Sequence, residues 1–153
     1  MIRQMGLNRF PPFFKDPIFL LAAAGAVLFW IVLGRSIDRH PIHPRDLLSR
    51  HYLSLILLQP FAEELLFRGF LQGQWLQTAW GGASRHGITV ANLITSLLFV
   101  ASHFISHPAG WAVAVFFPSM IFGYLRDRHD SLYPAMVLHM FYNAGYFYLT
   151  GLP

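Results

Sequence analysis

An uncharged run of seventeen residues, Ile18 to Gly34 (IFLLAAAGAVLFWIVLG), constrains this chain more than any other feature. As a helix rising about 1.5 Å per residue it reaches roughly 25 Å, close to the ~30 Å hydrocarbon core of a bilayer. Four more apolar stretches follow: Tyr52 to about Trp80, Ile88 to Phe104, Trp111 to about Leu125, and Leu132 to about Leu149. The fourth of the five, Trp111 to about Leu125, is short for a full span and ends at the charged RDRHD cluster, Arg126 to Asp130. Together they predict an all-α, polytopic transmembrane helical bundle with about five membrane segments.

The surface arithmetic agrees. The chain is 55% hydrophobic and 12% charged, against about 25% charged in an ordinary soluble domain. A domain of this size buries only about two-thirds of its unfolded surface, so eighteen charged side chains must serve the remainder. Lipid is the exterior that fits, and membrane lipid is the first expected partner. There is no cysteine, which removes disulfides, thiolate catalysis and cysteine-type zinc sites. Aromatic residues make up 16% of the chain, which speaks against disorder. The net charge is +4, but the ten Arg and one Lys are scattered, and no nucleic-acid partner is expected.

The layout is that of one integral membrane domain, residues 1–153, with no repeat, linker or second domain. Residues 1–17 are basic and proline-containing. A signal peptide is the alternative reading of the first run, but its length and the lack of a convincing A-x-A cleavage site after it favour a retained helix. Residues 35–51, with four Arg and two Pro, read as an interfacial loop or short surface helix. Pro60, inside the second segment, should leave a carbonyl unpaired and kink the helix. GGASRHG, Gly81 to Gly87, reads as a turn, and His107, Pro108 and Gly110 break the chain again. Loops on alternate sides place six Lys/Arg on the amino-terminal side against four opposite, a bias toward a cytoplasmic amino terminus.

Only two glutamates occur, Glu63 and Glu64, and both lie inside an apolar segment in PFAEELLFRGF. A charge there costs several kcal/mol (about 2.5–3.5 on insertion scales) unless it faces the bundle interior or a water-filled cavity. Glu64 and Arg68 are four residues apart on one helical face and can neutralise each other. Glu63 points about 100° away, toward a cavity in which burial and the neighbouring carboxylate would suit it to act as a base. The third segment carries Phe99 and His103 on one face; His107, directly before Pro108, reads as a loop residue. The fifth carries His139 and Asn143, again four apart. Any one of these is explained as packing glue, whereas three helices bearing them suggest a converging site. Glu63 with His103 can deprotonate a water, and His139 with Asn143 can donate to a developing oxyanion. A carboxylate with two imidazoles can instead hold a divalent metal, and the spacing alone leaves both versions open.

These residues resemble the three ordered motifs of the CAAX protease and bacteriocin-processing family of glutamic-type intramembrane proteases. Two Glu, three residues and Arg stand as Glu63, Glu64 and Arg68. Phe, three residues and His stand as Phe99 and His103, and His, three residues and Asn as His139 and Asn143. The resemblance covers about residues 50–149. It implies an intramembrane endopeptidase in which Glu63 and His103 activate water, and His139 and Asn143 form the oxyanion hole. Glu64 and Arg68 then support the catalytic group and Phe99 packs it. It also implies metal independence and no cofactor. The expected substrate is a protein with a carboxy-terminal, membrane-anchored or lipidated tail. Many relatives have about eight helices, so this compact chain resembles the small prokaryotic members that process sorting tags, placed in the cytoplasmic (inner) membrane. The family also includes bacteriocin maturation and immunity proteins. The competing readings are therefore a non-enzymatic membrane immunity or assembly protein, a proton or ion pathway, and a zinc-dependent protease.

Overall fold

The structure, a computed structural model, describes residues 2–36 and 42–152. It is nearly all α-helical. Helix α1 (Pro17–Ser36) begins where Asp16 caps it, its carboxylate accepting from Ile18 N–H at 2.8 Å. Pro17 opens the helix at no cost, because the first N–H has no intrahelical acceptor. Leu21, Leu28 and Val32 are more than half exposed along it, as lipid-facing side chains would be. Of the predicted interfacial stretch 35–51, residues 37–41 lie outside the described residues. The remainder holds a 3₁₀ turn at Pro44–Asp46 and then α2 (Arg50–Leu53), capped by the Ser49 hydroxyl accepting from Tyr52 N–H at 3.2 Å.

The predicted long second helix is helical over 50–75 but not uniformly α. A π-helical turn, Ser54–Leu58, leads into α3 (Gln59–Glu64); a second, Leu65–Gln72, leads into α4 (Gly73–Trp75). Widened turns of this kind leave backbone groups for other partners. The predicted turn at 81–87 contains part of a small antiparallel hairpin, β1 (Ser84–Arg85) with β2 (Ile88–Thr89). His86 and Gly87 at its tip both have positive φ, 53° and 81°, the geometry that matches the twist of two-residue hairpins.

Helix α5 (Val90–His103) is capped by the Thr89 hydroxyl, which accepts from Asn92 N–H at 3.0 Å. After Pro108 come α6 (Ala109–Ala114) and α7 (Phe116–His129), and α8 (Tyr133–Thr150) closes the chain. Helix α7 runs through the charged cluster that the sequence reading placed after the fourth segment. It can do so because Arg126, only 2% exposed, donates to the Gln4 carbonyl at 2.7 Å and to Asp130 Oδ1 at 3.4 Å. Asp130 in the left-handed region ends the helix.

Among the described residues, two helical stretches are long and apolar enough to cross a membrane, Pro17–Ser36 and Ala109–His129, and Val90–His103 is a shorter apolar helix. The chain divides into two compact units, one of residues 2–11 and 63–135, the other of 12–62 and 136–152. In the first, α5 packs on α7 and on the second π turn around Phe67, Phe99, Phe122 and Leu125. Its amino-terminal stretch is tied in: Leu132 N–H donates to Gly6 O at 2.9 Å, and the Ser131 hydroxyl to Arg9 O at 2.7 Å. In the second unit Trp30 of α1 packs on Phe141 of α8 and over the bare backbone of Gly145. The Tyr142 hydroxyl donates to Ala22 O at 2.9 Å.

Candidate active site

Glu63, Glu64, Arg68, Phe99 and His103 belong to the first unit, His139 and Asn143 to the second. Glu64 and Arg68 form the ion pair expected from their spacing. Arg68 Nη1 lies 2.9 Å from Glu64 Oε1, and both side chains are fully buried. Arg68 is also held from α7, where Nη2 donates to the Ser119 hydroxyl at 2.7 Å and to its carbonyl at 3.2 Å. Phe99 covers the guanidinium, its ring centroid 4.4 Å from Arg68 Cζ, and Phe122 lies 5.5 Å away. A charge enclosed this way is stabilised by its counter-ion, by hydrogen bonds and by the aromatic face, which offset part of its desolvation. Glu63, one residue earlier, is only half-buried.

His103 ends α5, half-buried, with its ring 4.4 Å from that of Phe99. Its Nδ1 lies 2.8 Å from the Phe99 carbonyl. A carbonyl oxygen can only accept, so Nδ1 carries the hydrogen and donates it. In the neutral imidazole the lone pair therefore sits on Nε2, the nitrogen that can take a proton from water. Phe99 thus has two functions from one position: its ring packs against Arg68 and its carbonyl sets the tautomer of His103. His107, exposed in the loop after α5, stacks on His103 at 5.4 Å with the rings 21° apart.

A second polar cluster in this unit escaped the sequence reading. The Gln72 amide donates to Asp127 Oδ1 at 2.7 Å and to Gly123 O at 3.0 Å, while the Thr89 hydroxyl donates to Asp127 Oδ2 at 2.6 Å. The Asn92 amide donates to Met120 O at 3.0 Å and its oxygen accepts from the Ser96 hydroxyl at 3.2 Å. The available signal was the presence of Gln72, Asn92 and Ser119 within apolar segments.

On α8, His139 is buried, 6% exposed. Asn143 Nδ2 donates to the Leu55 carbonyl at 3.1 Å. The second unit also holds a cavity of about 600 Å³, bordered by Trp30, Tyr52, Phe141 and Tyr148 among others. None of the seven predicted site residues lines it. Among the described residues, no group of three or more His, Asp or Glu side chains is placed to hold a metal ion.

Two helical stretches long and apolar enough to cross a membrane, the first with exposed aliphatic side chains, and a fully buried Glu64–Arg68 pair are features that a helical membrane protein would show. The chain belongs to the Rce1-like family, described as type II CAAX prenyl endopeptidase Rce1-like, whose model matches residues 47–145. All seven predicted site residues lie within that stretch. Membership makes the chain a membrane protease, a peptide hydrolase. Comparisons with curated proteins and with solved structures gave no match.

Proposed function

We propose that this chain is a glutamic-type intramembrane endopeptidase that cuts a protein substrate near its carboxy-terminal membrane-anchored tail. Glu63 and His103 take a proton from water, and the resulting hydroxide adds to the scissile carbonyl. The oxyanion is received by His139 and by the Asn143 carboxamide, and collapse of the tetrahedral intermediate expels the amine, which recovers the proton from the acid–base pair. Glu64 and Arg68 brace the helix that carries Glu63, and Phe99 orients His103. The protein works without a cofactor in a prokaryotic cytoplasmic membrane, its helices forming about five membrane segments. Members of the matched family are described as prenyl endopeptidases; a prenylated tail and an unmodified apolar anchor are both candidate substrates.

The observation that supports this reading most is the Nδ1 hydrogen bond of His103 to Phe99 O. It presents a basic Nε2 from the second motif of a chain whose family is proteolytic. The test reconstitutes the purified protein in lipid vesicles with two internally quenched probes: a peptide bearing an S-farnesyl cysteine near its carboxy terminus, and a peptide ending in an apolar anchor with a basic tail. Cleavage of either is expected, and its loss in Glu63→Gln and His103→Ala proteins that remain folded in detergent. Cleavage that persists at full rate in both variants would overturn the mechanism. Cleavage of neither probe would favour the non-enzymatic immunity or assembly role.

A further inference from the structure

Pro60 carries no N–H, so somewhere upstream a helical carbonyl must go without its usual donor. The local geometry identifies which one. Across the first π turn, Gln59 N–H donates to Ser54 O, five residues back. Continued by one residue, that register would bring residue 60 to the Leu55 carbonyl, and residue 60 is the fully buried Pro60. Asn143 of α8 supplies the replacement, its Nδ2 donating to Leu55 O at 3.1 Å.

We propose that Pro60 is a positioning residue for Asn143. By withholding a backbone donor, it keeps the Leu55 carbonyl as the acceptor that seats the Asn143 carboxamide. One N–H of Asn143 is spent on this bond, which also fixes the amide with nitrogen rather than oxygen toward α2 and the first π turn. The second N–H is thereby held in a set direction as a donor. Its use on an oxyanion rests on the reading given under Proposed function; the seat itself does not.

A double-mutant cycle separates the two. In the unsubstituted background, Asn143→Leu strands the Leu55 carbonyl and should lower the melting temperature in detergent by about 3–6 °C. In the Pro60→Ala background the restored N–H takes that carbonyl, and the same change should cost less than about 1 °C. Equal losses in both backgrounds would overturn the seat. Pro60→Ala alone should leave the melting temperature nearly unchanged but lower kcat on the quenched tail probe roughly 10-fold, with KM little altered, because a loosened donor is a transition-state defect. An unchanged kcat beside intact stability coupling would overturn the positioning role. Full activity in Asn143→Leu would instead remove Asn143 from the oxyanion hole and leave the seat standing. Pro60→Ser restores the same N–H if the alanine variant does not fold. In the unsubstituted protein, magnetisation transfer between leucine ¹³C carbonyl and asparagine side-chain ¹⁵N labels reads the contact directly by solid-state NMR. Its absence would overturn the proposal without any variant.

Discussion

The buried Arg68 has three kinds of support, from Glu64, Ser119 and Phe99, and each fails differently. Arg68→Leu removes the counter-ion of a fully buried carboxylate and should destabilise by about 3–5 kcal/mol. Adding Glu64→Gln should recover part of that loss, measured by denaturation in mixed micelles. Glu63→Gln is expected to differ: a smaller loss of melting temperature than Arg68→Leu, because Glu63 is half-buried rather than enclosed, and kcat lower by about 10²–10⁴ if it is the base. The Glu64–Arg68 pair was legible in the sequence because both partners sit on one helical face. Ser119, 51 residues from Arg68, was not, since a bond between helices leaves no trace in local spacing. The tautomer of His103 was likewise out of reach, because it depends on where the Phe99 carbonyl points.

Helix positions followed from the apolar runs: predicted spans at 88–104 and 132–149 became Val90–His103 and Tyr133–Thr150. What the runs concealed was how the helices are wound and how close they come. Pro60 was readable as a disturbance, but the widened turns around it depend on partners from elsewhere in the chain. The charge cluster at 126–130 looked like a helix boundary and is mostly helix, because the burial of Arg126 is partly offset by Asp130 and by a carbonyl 122 residues away. Helix contacts also give glycines opposite values. A Cβ on Gly123 would collide with Asn92 Oδ1 and press on Gln72 Oε1, so Gly123→Ala should cost about 1–3 kcal/mol through overpacking. A Cβ on Gly25 meets nothing within 4 Å. Gly25→Ala should therefore be neutral or stabilise by up to about 1 kcal/mol, as expected for an exposed helix interior. Parallel thermal melts of the two variants check both.

At the scale of the whole molecule, membrane residence was legible from eighteen charges on 153 residues, and the family model bears it out. The chain should stay with the membrane fraction after alkaline carbonate washing, read by immunoblot of pellet and supernatant. Cleavage should survive exhaustive chelation, with no stoichiometric metal found by elemental analysis; loss on chelation with recovery on adding zinc would establish the metal-dependent alternative. The division into two units was not legible, because each is assembled from segments far apart in sequence. That discontinuity also sets an order of events during synthesis. Residues 4–9 leave the ribosome well before their hydrogen-bond partners, Arg126, Ser131, Leu132 and Tyr133. Closure of a loop this long is a late, non-local step. Residues 4–9 must therefore wait, undocked, until more than 120 residues have followed them, and only then can the unit that carries Glu63 and His103 be completed.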